Sequence, residues 1–91
     1  MNATPLYRSM AVANWFIDHV RNLTPLKLQK LIYYAHGWHL ALRDQPLIDE
    51  LIEAWEYGPV VPNVYHEFKE FGNQPITRRG TVIEMSPDRY S

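Results

Sequence analysis

The longest stretch of this chain free of proline opens at Thr24-Pro25 and closes at Asp44-Gln45-Pro46. Thr24 offers a hydroxyl to the free amides of a first helical turn, and Pro25 falls where a missing N–H costs nothing. Between these ends Leu28, Leu31, Ile32, Ala35, Trp38, His39 and Leu42 recur on one side, which predicts a helix of about five turns reaching Leu42 or Arg43. Lys27 and Lys30 point elsewhere. So wide an apolar stripe cannot stand alone in water; other elements must cover it. Tyr33 and Tyr34 widen it further, so cover on more than one side is expected. Gly37 is the weak point, costing roughly 1 kcal/mol relative to Ala. The usual reason for such a glycine is close approach of another backbone.

The flanking segments supply candidates for that cover. Ser9 can cap a first helix running to about Arg21, with Val12, Ala13, Phe16, Ile17 and Val20 on its apolar face and Asn14, Asp18 and Arg21 away from it. Leu47 to Tyr57 fits two patterns. Leu47, Ile48, Leu51, Ile52 and Trp55 have helical spacing, while Ile52, Ala54 and Glu56 alternate as in an extended piece; a short helix or turn is the preferred reading. Gly58-Pro59 breaks the chain, because the residue before a proline is pushed out of the α region. Pro62 then opens a further helix with Val64, Tyr65, Phe68 and Phe71 on one face and Gly72 as its stop. Beyond it, Pro75, Gly80 and Pro87 leave one candidate strand, Thr81 to Met85, which needs a partner to be stable. The fold expected is mainly α: a small orthogonal bundle of three to four helices with at most one short C-terminal strand or hairpin. Residues 1–8 read as a flexible lead-in, 9–72 as the helical domain and 73–91 as an irregular tail.

Composition narrows the function. With 91 residues the chain is a single domain at most. Aromatic residues make up 13% of it, enough to fill a compact core and leave aromatic surface for a partner. Nine basic against ten acidic residues give a net charge of -1, which argues against a polyanion as the main partner. The pair Arg78–Arg79 reads as a solvated loop. Zero cysteines exclude a disulfide scaffold, a thiolate metal site and a Cys nucleophile. No basic-then-apolar leader and no apolar run of about 18 residues is present, so the cytoplasm is the expected location and no membrane partner is expected.

Candidate chemistry is sparse. His36 and His39 stand three apart on one helix, but a metal site needs a third ligand and a second-shell carboxylate, and a hydrogen-bonded core histidine is the commoner reading of His39. His19 and His66 read as surface residues. Ser9 and Thr24 read as caps, and no nucleophile elbow is present. Asp49 with Glu50 and Glu53 with Glu56 read as solvated acids, and the isolated glycines make no phosphate loop. No catalytic residue, metal ligand or cofactor is expected, and the chain reads as a non-enzyme. A helix-turn-helix about Asn22–Pro25 is disfavoured: the second helix carries Leu, Tyr and Trp where a DNA reader needs Arg, Asn or Gln for base edges.

The segment Glu53–Pro62 (EAWEYGPVVP) has no such ordinary reading. Trp55, Tyr57 and two prolines surround a glycine, making either a rigid buried corner or a rigid exposed platform. Aromatic side chains make good anchors because ordering them costs little. The candidate partner-binding residues are Tyr33, Tyr34, Trp38, Trp55, Tyr57, Pro59 and Tyr65.

The order of these motifs resembles a known family. TPLKLQKLIYYAHGWHLAL (24–42) followed by QPLIDELIEAWEYGPVVPNVYHEF (45–68) is similar to the SocA-like antitoxin domain, also called Panacea, of bacteria and their prophages; the likeness spans about residues 9–72. Its signature falls on Leu28, Gln29, Lys30, Leu31, Tyr33, Tyr34 and Trp38, then on Ala54, Trp55, Tyr57, Gly58, Pro59, Val60 and Tyr65. The resemblance implies a non-enzymatic, mostly helical protein that neutralises a cognate toxin by direct contact, in one member as an adaptor delivering the toxin to a protease. The family usually continues for several more helices, with a late His- and Trp-containing segment. The chain is then a natural short form or a fragment, and a second copy or a partner could close its exposed side. The alternative functions are a DNA-binding autoregulator of its operon and a self-assembling phage-associated protein.

Overall fold

A computed structural model describes residues 7–48 and 50–82. The order is α1 (Ser9–His19), α2 (Pro25–Arg43), β1 (Glu53–Trp55), β2 (Gly58–Val60) and α3 (Pro62–Phe68), followed by a single 3-10 turn, Lys69–Phe71. The chain is mainly helical: three helices with one small antiparallel hairpin.

α2 begins as the sequence dictates. Thr24 is its cap, accepting from the Lys27 N–H, and Pro25 occupies the first turn. Its far end is Asp44, left-handed at φ 56. α1 departs from expectation at its start. Arg8, not Ser9, is the cap, and no side chain closes it. Ser9 is the first helical residue, fully buried, and its hydroxyl donates to the Glu50 carboxylate instead. A long-range acceptor has thus replaced a local one. Val20 lies beyond the helix and is exposed.

The segment expected as a short helix contains the hairpin. Glu53, Ala54 and Trp55 pair with Val60, Pro59 and Gly58. The turn at Glu56–Tyr57 needs Gly58, whose φ of 115 is strained for any residue with a side chain. Tertiary contacts decide against the helix. Gln29, buried on α2, receives the Val61 N–H on Oε1 at 2.8 Å and donates from Nε2 to the Val61 carbonyl at 3.4 Å. That amide pins the exit of β2 to α2, and Val60 and Val61 go into the core. Leu51, which a helix would have placed near Ile48 and Trp55, is 85% exposed.

The core is built from Met10 and Ala13 of α1, Leu28 and Ile32 of α2, Val64 and Phe68 of α3, with Leu23, Ile48, Val61 and Ile76 from the connections. Residues 73–82 have no regular secondary structure yet are fastened throughout. Ile76 is buried and donates its N–H to the Leu23 carbonyl at 2.7 Å. Arg78 bonds Glu67 at 2.8 Å and Glu70 at 3.0 Å and lies over the rings of Phe68 and Phe71, so it is no solvated loop residue. These carboxylates raise its already high pKa. Asn14, expected to face outward, is buried and clamps Gly80: Nδ2 donates to its carbonyl at 3.0 Å and Oδ1 accepts its N–H at 2.6 Å. A Cβ at Gly80 would overlap the Met10 sulfur and the Phe68 ring, so only glycine fits this approach. Of the candidate strand, Thr81 and Val82 are not in a strand and 83–85 lie outside the described residues.

Candidate protein-binding surfaces

The seven predicted residues fall in three places: Trp55, Tyr57 and Tyr65 in one groove, Pro59 at the hairpin edge, and Tyr33, Tyr34 and Trp38 on the far half of α2. Trp55 and Tyr65 meet edge to face, with ring centroids 5.0 Å apart and planes at 67°. With Tyr57, Leu26, Pro25 and Val60 they line a groove of about 370 Å³ between the start of α2 and the hairpin, to which Gly72 and Asn73 also contribute. Tyr57 stands at its edge, 79% exposed. The Gln29 clamp holds the hairpin against α2, and thereby sets the distance between the groove's two walls. Pro59 is exposed on β2 but does not line the groove. The corner is buried at Val60 and Val61, half-buried at Trp55 and exposed at Tyr57.

Tyr33, Tyr34 and Trp38 lie elsewhere, on the second half of α2. With Gly37, Leu40 and Ala41 they surround an open depression. Tyr33 and Tyr34 pack at 6.1 Å, and Trp38 is 67% exposed. Nothing approaches within 4 Å of where a Gly37 Cβ would be, so the close contact expected there is absent among the described residues. A third depression, about 510 Å³, runs between α1 and α2 past Tyr7, Trp15, Phe16, Ala35 and Leu47. Trp15 and Tyr7 were missed in the sequence because each sits outside a periodic apolar face. Leu26 was missed for the same reason, lying off the α2 stripe; its one signal is its position beside Pro25.

The two histidines of α2 hold the loop that follows it. A carbonyl can only accept, so His39 Nδ1 carries the proton it donates to the Gln45 carbonyl at 2.8 Å. His36 does the opposite, its Nδ1 accepting the Leu47 N–H at 3.3 Å, which requires a bare nitrogen and a neutral ring. Burial, and secondarily the neighbouring His39, lower the His36 pKa. Among the described residues no group of three or more His, Asp or Glu could hold a metal ion, and no helix is long and apolar enough to cross a membrane.

Fold and surface together describe a small helical domain whose buried polar groups are engaged internally and whose free chemistry is aromatic. The family model of the SocA-like antitoxin, Panacea domain, matches residues 28–88. The chain belongs to that family, as the motif order from Thr24 to Phe68 implies. It is 42% identical over 91 residues to Antitoxin SocA of Caulobacter vibrioides (strain NA1000 / CB15N), a match covering 87% of this chain and 48% of that protein. The chain thus spans about half the length of that relative. No solved structure matches it.

Proposed function

We propose that this chain is an antitoxin-like binding module that neutralises a cognate toxin by direct contact, without catalysis, through the groove of Trp55, Tyr57 and Tyr65. Family membership supports the antitoxin role. The observation supporting the choice of surface is that the groove's two walls are tied together by the Gln29 hydrogen bonds to Val61, with Trp55 and Tyr65 packed edge to face between them. Preorganised aromatic walls lose little entropy on binding and are the usual form of an energetic hot spot. The cytoplasm is the compartment in which such a module meets its toxin, and the adaptor role, presenting the bound toxin to a protease, uses surface that the groove leaves free.

The test is rescue of growth when the chain is co-expressed with the toxin encoded by a neighbouring gene. Tyr57→Ala should abolish rescue while the circular dichroism spectrum and melting temperature stay unchanged, since the side chain is 79% exposed. Retained rescue in a folded Tyr57→Ala protein sinks the groove as the contact surface. A second role is favoured by Trp38 and Leu42, 67% and 71% exposed on the far half of α2: self-association through that face. Sedimentation at increasing concentration checks it, and a monomer at every concentration would exclude it.

A further inference from the structure

The polar chemistry of the groove restricts what can lie in it. The polar side-chain groups of its interior are engaged. The Gln29 amide holds both backbone groups of Val61, Thr24 Oγ1 accepts from the Lys27 N–H, and Trp55 Nε1 donates to Glu53 at 2.8 Å. What remains stands at the rim: the hydroxyls of Tyr57 and Tyr65, and the Asn73 amide nitrogen, whose oxygen is already taken by Gln74. An ordinary peptide pressed against such a floor would surrender the water on its amides and find few acceptors beyond the two rim hydroxyls, at about 1–3 kcal/mol for each amide left unpaired. Proline has no amide hydrogen to lose. In an extended proline helix the carbonyls point outward, towards donors placed as these rim groups are.

Shape and charge agree with this. The groove, about 370 Å³ in volume, runs between the start of α2 and the hairpin, and an extended segment can lie along it. The crossed rings of Trp55 and Tyr65 leave ring faces for pyrrolidine rings to lie on. No Lys or Arg lines the groove. Beside it Glu53 and Glu56 are exposed on the hairpin, and neither has an ion pair among the described residues.

We propose that the groove receives an extended, proline-containing segment of the partner protein, flanked by a Lys or Arg that Glu53 and Glu56 attract. This rests on the groove being the partner-binding face. The experiment is an array of peptides about ten residues long, each with two prolines three apart and an adjacent arginine, beside copies with alanine at both proline positions. The chain should retain a subset of the proline peptides and bind their alanine copies about tenfold more weakly or not at all. Titration of a retained peptide should move the Trp55 indole N–H resonance. Tyr57→Ala should weaken it about tenfold, Glu56→Lys a few-fold in low salt only, and Trp38→Ala not at all.

Binding that ignores the prolines, no binding by any proline peptide, or an unmoved Trp55 resonance overturns the proposal. The two readings fail separately. If toxin neutralisation needs Tyr57 but no proline peptide binds, the groove is the partner face and its ligand is of another kind. If proline peptides bind through Tyr57 while neutralisation survives Tyr57→Ala, the ligand chemistry holds and the toxin contact lies elsewhere.

Discussion

The two halves of α2 both carry an apolar stripe in sequence and are opposite in structure. From Pro25 to Ile32 the helix is the hub of the molecule: Leu28 and Ile32 are fully buried, and Gln29 is buried while holding the hairpin. From Tyr33 to Arg43 the same stripe continues, yet Tyr34, Trp38 and Leu42 are 60%, 67% and 71% exposed. The first half is covered by α1, α3 and the hairpin exit; the second is held chiefly by the short loop that returns from Asp44. An apolar stripe therefore records that a helix face is to be covered. It does not record whether the cover belongs to the same chain. Large exposed apolar patches are uncommon on isolated domains and mark interaction sites when they occur.

The sharpest test of this contrast is the same substitution in each half. Leu28→Ala removes a fully buried side chain and should cost about 2–5 kcal/mol. Leu42→Ala should fall within about 0.5 kcal/mol of the parent. Equal costs in urea unfolding would mean that the second half is covered in solution. A smaller effect is expected from Gln29→Leu. The Val61 N–H and carbonyl would lose their partners inside the core, for about 1–3 kcal/mol, and the groove should lose its ligand because its walls are no longer tied. A Gln29→Leu protein that binds normally would show that the clamp supports the fold without setting the groove.

Gly37 sharpens the comparison from the other side. Nothing lies within 4 Å of a Cβ there, so Gly37→Ala should stabilise the isolated chain by about 0.5–1 kcal/mol through helix propensity alone. If the same variant lost self-association, the glycine would be explained by a neighbour outside this chain. Destabilisation by Gly37→Ala would instead show a contact within it.

Much of this is legible in the sequence. The bounds of α2 are written in Thr24-Pro25 and Asp44-Gln45-Pro46, and the start of α3 in Pro62, because capping and proline geometry are local; α3 itself ends at Phe68, and Gly72 closes the 3-10 turn that follows. The motif order from Thr24 to Phe68 carried the family. What stayed hidden depends on contacts distant in sequence. Ser9 looks like a cap until Glu50 arrives from another segment. Asn14 looks like a solvated residue until Gly80 folds onto it. The hairpin could not outcompete a helix on periodicity alone, since it is Gln29, on another element, that fixes its exit. The split of the seven aromatic and proline candidates into groove, hairpin edge and open helix face has the same origin: periodicity places them on a face without saying what covers it.

The smallest effect expected is in pH, and it belongs to the weakly covered half. His36 must be neutral to accept from Leu47, and its pKa is lowered by burial first and by His39 second. The other titratable groups of the adjoining segments, Tyr7, Asp44 and Glu50, are not among its causes. A base whose pKa is lowered on folding takes up its proton more readily when unfolded, so the unfolded state binds more protons in that window. The contribution of His36 is therefore whole above its ordinary value of 6.5 and is lost as pH falls from there towards the depressed value. Protonation would place a hydrogen between Nδ1 and the Leu47 N–H, freeing the loop whose Leu47 carbonyl accepts from Tyr7. Melting temperature followed from pH 7.5 to 5 should decline for the parent and decline less for His36→Gln, which keeps a hydrogen-bonding side chain and does not titrate. Hydrogen exchange should localise the acid-induced opening to Tyr7 and Leu47, leaving the Val61 amide protected. An opening that instead reached Val61 first would mean that the hub, and not the loop, is the weaker half, and the contrast between the two ends of α2 would be reversed.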